Sequence, residues 1–118
     1  MSIVKSTDDV FDWVTTETQD FVRELSYKVF DGITMRTPVK FGQLRASWNM
    51  TKDAPDFSTV DVGIDLPPPV RPELIFEVGE YPLVFFANGK PYAELIENGY
   101  SKKAPQGMVQ VTLDSLGQ

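Results

Sequence analysis

The side chains in this chain that could do chemistry fall in a few places. Glu94 and Glu97 lie one helical turn apart beside Tyr92 and Tyr100, so on a helix both carboxylates share a face, as a general acid and base would. Such a pair works only in a pocket that drives the two pKa values apart, which a sequence does not show, and catalysis is the minor reading. Ser101-Lys102-Lys103 sets a hydroxyl beside two amines. Adjacent residues rarely face each other as nucleophile and base, so an exposed basic loop is favoured. Asp8, Asp9 and Asp12 offer hard oxygen ligands for a cation. No calcium-loop spacing follows them, and the first turn of a helix favours acids on its own account. Histidine and cysteine are absent. Their absence excludes Ser-His and Cys-His triads, thiolate zinc sites and disulfides. We therefore expect no enzyme, no catalytic residue, no metal and no cofactor.

The composition points the same way. The chain has 118 residues, 42% hydrophobic and 24% charged, enough to build the core of one domain over residues 1–118. Its net charge of −6, from 17 acids and 11 bases, opposes any tight grip on DNA phosphates. No apolar run reaches the length of a membrane span, and the first nine residues lack the apolar core of a signal peptide.

One long element must position whatever the chain carries. Residues 7–36 contain no proline, and Val10, Val14, Phe21, Leu25, Val29 and Ile33 recur at helical spacing, widened by Phe11, Trp13, Val22 and Phe30. We expect an amphipathic helix about 45 Å long. Ser6-Thr7-Asp8-Asp9 marks its start and Pro38 its end. Gly32 weakens its last turns. Any part of its aromatic stripe that so thin a domain leaves uncovered becomes an oligomer surface.

Downstream, one helical turn is expected around residues 42–45. Alternation of Ala46, Trp48 and Met50, and then of Val60, Val62 and Ile64, predicts an antiparallel hairpin across a long loop. Residues 74–78 suggest a short edge strand and residues 83–87 a buried one, closed by Asn88-Gly89. A short helix is expected at 92–97, ended by Asn98-Gly99. Residues 107–116 fit a helix or a strand, with helix preferred. The fold class is α+β: a long N-terminal helix on a mainly antiparallel sheet of three to five strands, with one or two short C-terminal helices.

Residues 65–82 stand apart. Pro67-Pro68-Pro69 fixes extended geometry, and Leu74 and Phe76 make the segment too apolar for a solvated linker. Pro67, Pro68, Pro69, Leu74 and Phe76, with the basic residues Lys102 and Lys103, are candidate contacts to another subunit. Lys90 adds to this C-terminal basic concentration.

Two segments go beyond composition. Thr37-Pro38-Val39-Lys40-Phe41-Gly42-Gln43-Leu44-Arg45-Ala46-Ser47-Trp48 resembles the TPVDTGNLRSSW segment of tail-completion and neck proteins of tailed bacteriophages, a family that includes relatives of minor tail protein Z of lambda-like phages. Residues 91–109, Pro-Tyr-Ala-Glu-Leu-Ile-Glu-Asn-Gly-Tyr-Ser-Lys-Lys-Ala-Pro-Gln-Gly-Met-Val, resemble that family's YAxxIExGxSxxAPxGMV segment. The two follow a long helix in the family's order. Lys40-Phe41 departs from the family's Asp-Thr, which removes a helix cap. Family members also often continue through a longer C-terminal helix.

The resemblance implies a virion structural protein that joins the filled head to the tail or finishes the tail tube. It implies a ring, commonly six-fold, around the DNA channel. The implied partners are further copies of the chain, the head–tail connector, and tail-tube or tail-terminator proteins. DNA would pass without specific binding, and no membrane is involved. The implied location is the virion neck, with the host cytoplasm during assembly. The motif positions Gly42, Leu44, Arg45, Trp48, Tyr92, Glu97, Gly99, Ala104, Pro105 and Gly107 then serve structure. Gly42 gives a tight turn, Leu44 and Trp48 pack under the helix, and Arg45 satisfies carbonyls or a carboxylate near the sheet edge. Gly99 stops a helix. Ala104-Pro105-Gln106-Gly107 fixes the approach to the last element. A reading from another class is a monomeric acidic binding module, an inhibitor or adaptor.

Overall fold

A computed structural model of the chain describes residues 7–39, 42–99, 104 and 107–117, with side chains from residue 15 onward. The expected cap at Ser6-Thr7 and the carboxylates of Asp8, Asp9 and Asp12 lie outside the described side chains, as do Phe11 and Trp13. Helix α1 spans Thr7–Arg36, the 30 residues that the unbroken pattern predicts. The chain then forms α2 (Gln43–Ala46), β1 (Trp48–Thr51), β2 (Phe85–Asn88), α3 (Ala93–Glu97) and α4 (Val109–Leu116). The class is α+β: a long helix packed on an antiparallel sheet, with short C-terminal helices. The alternative left open at 107–116 resolves as helix over Val109–Leu116.

The sheet among the described residues has two strands, fewer than the three to five expected, and its pairing differs from the predicted hairpin. β1 pairs with β2, with Trp48 opposite Asn88 and Thr51 opposite Phe85. Residues 59–64 form no strand. Side chains hold this stretch in place of a ladder. The Ser47 hydroxyl accepts the Val60 N–H at 2.9 Å, and the Asn49 amide donates to the carbonyls of Asp56 and Ser58. The alternating Val62 and Ile64 therefore face solvent, at 83% and 69% exposure, and the pattern that predicted a half-buried strand has no sheet to cover it. Residues 74–78 also form no strand, because their backbone is bound by side chains of α1.

The core gathers Val29, Phe30 and Ile33 of α1 with Leu44, Trp48, Met50, Leu74, Ala104 and Met108. Among the described side chains of α1 it covers those of the later turns. Phe21 and Leu25, expected on the buried stripe, stand 68% and 39% exposed. The covered side of the earlier turns carries Gln19 and Ser26, both buried. α4 crosses α1 at Gly32, where an added Cβ would sit 2.6 Å from the Thr112 methyl. The glycine that weakens the helix locally thus permits close approach of two helices.

Candidate functional site

Both resembling segments act as structural locks. In the first, Thr37 is buried where α1 ends. Its hydroxyl donates to the Ile33 carbonyl at 2.7 Å and accepts the Trp48 indole N–H at 2.9 Å. Trp48, 7% exposed, is thereby tied to α1 as well as packed in the core. Gly42 has φ +89°, and a Cβ there would meet the Leu66 carbonyl oxygen at 2.7 Å. Gly42 is the cap residue at the start of α2 and supplies no side-chain hydrogen bond there. Leu44 is buried, and its carbonyl accepts the Asn88 amide at 2.9 Å. Arg45 donates to the Leu66 carbonyl at 2.9 Å, and Gln43 to that of Gly63 at 3.0 Å. One short turn thus fixes both β1 and the start of the proline-rich segment.

In the second, Glu97 of α3 caps α4. Its carboxylate accepts the N–H groups of Met108 at 2.7 Å, Val109 at 2.8 Å and Gln110 at 3.0 Å. A carboxylate on the free N–H groups of a helix start is favoured by hydrogen bonding and by the helix dipole. Gly107, φ +89°, leaves room for it, since a Cβ there would stand 2.5 Å from the Glu97 carbonyl oxygen and 2.9 Å from the carboxyl carbon. Gly99, φ +91°, follows the end of α3. Ala104 and Met108 are buried beneath this corner, while Tyr92 and Glu94 face solvent. The structure therefore does not set Glu94 and Glu97 together as a free pair. Pro105, Lys102, Lys103, Tyr100, Ser101 and Gln106 lie outside the described residues. Lys90 leaves the basic concentration: it is buried and ion-paired with Asp61.

Residues 71–80 form a strap along α1, bound by a ridge at four-residue spacing. Gln19 donates to the carbonyls of Glu77 and Glu80 at 2.8 and 2.7 Å. Arg23 donates to the Leu74 carbonyl at 2.8 Å, and the Tyr27 hydroxyl accepts the Leu74 N–H at 2.9 Å. Asp31 pairs with Arg71 at 3.1 Å, and Arg71 stacks over the Tyr27 ring. Leu74 is buried and Phe76 half-buried, under Arg23 and Lys52. Those two candidate subunit contacts are thus occupied by the chain itself. Pro67, Pro68, Val70, Ile75 and Val78 face outward, and Pro69 is half-buried.

One ion pair anchors the end of the strap, and another holds Asp61 to Lys90. Lys52 meets Glu80 at 2.9 Å. Glu80 is held below the ordinary carboxylate range, first because it accepts the Glu77 backbone N–H and then because of Lys52. Its hydrogen bond raises Lys52 above the ordinary lysine value. Asp61 is likewise lowered, by Lys90 first and then by the Thr59 hydroxyl.

Sequence reasoning missed the ridge Gln19-Arg23-Tyr27-Asp31 and the double role of Thr37. The ridge's signal is a polar residue at every fourth position of a helix read chiefly for its apolar ones. No group of acidic side chains suited to a metal occurs among the described residues, and no described helix is long and apolar enough to cross a membrane. Comparison with protein-family models, curated proteins and solved structures gives no match.

Proposed function

We propose that this chain is a structural component of a tailed-bacteriophage virion, acting at the neck or in tail completion as a ring around the DNA channel. The two resembling segments motivate the reading. The observation that carries it furthest is the shape. The Cα radius of gyration is 17.5 Å, with a long axis of 58 Å, whereas a compact domain of this length has a radius of about 13–14 Å. So elongated a chain, with Val62, Ile64, Val70, Ile75, Val78 and Tyr81 all exposed, suits a subunit whose apolar surface is covered on assembly. Thr37, Gly42, Leu44, Arg45, Trp48, Glu97 and Gly107 of the resembling segments hold the fold, which fits a part whose work is done by its surface. The net charge of −6 suits a wall past which DNA slides without being held.

The test is a phage that encodes this chain with the gene interrupted. Heads and tails should form without joining, or tails should remain unfinished, and supplying the protein in trans should restore infectious particles. Normal particles without the protein would remove the reading.

A further inference from the structure

The strap turns alternate residues to opposite sides. Leu74 and Phe76 face α1, while Glu73, Ile75 and Glu77 face solvent, as the period of an extended chain dictates. Carboxylate, apolar group and carboxylate thus stand in a row about 6–7 Å apart, and Val78, in the turn that follows Glu77, is 79% exposed. Between residues 61 and 83 there are five acids and one base, and that base, Arg71, is paired with Asp31. Neither Glu73 nor Glu77 is ion-paired among the described residues.

We infer that the outward face of the strap, Glu73-Ile75-Glu77-Val78, is a docking surface for a different protein, one that presents lysine or arginine side chains interleaved with apolar ones. Net charge favours this occupant over a second copy. Among the described residues every lysine and arginine except Lys28 is already hydrogen-bonded or ion-paired within the chain; Lys5, Lys40, Lys102 and Lys103 lie outside the described residues. A second copy, itself at −6, would bring like charge against the row, which opposes association. A basic partner neutralises Glu73 and Glu77 while Ile75 and Val78 supply the apolar contact. The α1 ridge holds the strap extended beforehand, which lowers the ordering entropy that docking would otherwise cost. The inference deepens the virion reading by giving the chemistry of the adjoining protein. That protein's place in a particle rests on the reading; the surface itself does not.

The full chain is titrated with a labelled peptide that alternates lysine with isoleucine, and binding is followed by fluorescence anisotropy. Salt-dependent binding is expected. Ile75→Ser with Val78→Ser should weaken it about tenfold. Glu73→Gln with Glu77→Gln should weaken it several-fold and flatten its salt dependence. All four positions are exposed, and circular dichroism of both variants checks that they stay folded. Equal binding of a peptide with glutamate in place of lysine, or with serine in place of isoleucine, would overturn the proposal. So would a dimer in sedimentation velocity that Ile75→Ser dissolves. Peptide binding needs no virion, so its failure is separable from a failure of the gene-interruption test.

Discussion

Thr37 has one hydroxyl and uses it twice, as donor to the end of α1 and as acceptor from Trp48. Removing the indole removes both that bond and a core aromatic, so Trp48→Ala should cost about 3–5 kcal/mol in chemical denaturation. A loss below about 1 kcal/mol, the scale of a surface change, would place the ring outside the core. Glu97 makes three charge-assisted bonds to the start of α4. Glu97→Ala should destabilise by about 2 kcal/mol, between the values for a lost cap and a lost charged hydrogen bond. Glu94→Ala, on the exposed side of α3, should stay within about 0.5 kcal/mol. Equal effects at the two positions would contradict the capping role. Spacing placed both glutamates on one short helix and did not separate them, although the resembling segment singles out Glu97; its partner lies eleven or more residues downstream and depends on Gly107 leaving space.

At the scale of elements, the bounds of α1 were legible because uninterrupted helical spacing and Pro38 are local signals. The short helices at 43–46 and 93–97 were legible for the same reason, through glycine, proline and a few apolar residues. The partner of β1 was not. Residues 59–64 alternate as a strand would, yet Ser47 and Asn49 bind the neighbouring backbone, and β2 pairs instead. Local pattern carries no information on which chain arrives first at an edge. The strap was recognised as unusual for its prolines, but its attachment was hidden in the polar ridge of α1. That attachment should depend on acid. Glu80, which ties the strap to Lys52 and accepts the Glu77 N–H, is held below its ordinary value, so the stability it contributes is fully present at neutral pH and is lost as pH falls through the lowered value, below about 4. Hydrogen exchange should then show Leu74, Glu77 and Glu80 losing protection while α1 and α4 keep theirs. Simultaneous loss throughout would show that this carboxylate does not set the strap's stability. Lys52, raised by Glu80, holds its contribution into alkaline solution until pH passes its raised value.

As a whole molecule, the chain leaves much of its apolar surface uncovered and spreads over 58 Å. Folding secures the corner where α1, α4 and the sheet meet, whereas the strap's outward face and Phe21 and Leu25 of α1 stay exposed. At −6, the isolated protein should bind duplex DNA no better than a weak non-specific ligand at physiological salt. Sub-micromolar binding in an anisotropy titration would end the picture of a passive channel wall. The proposed place in the virion is tested most directly by imaging intact particles of a phage that encodes this chain, with the protein labelled. A closed ring of copies at the junction of head and tail, centred on the DNA channel, is expected. Particles that lack the chain, or that carry it away from that junction, would contradict it.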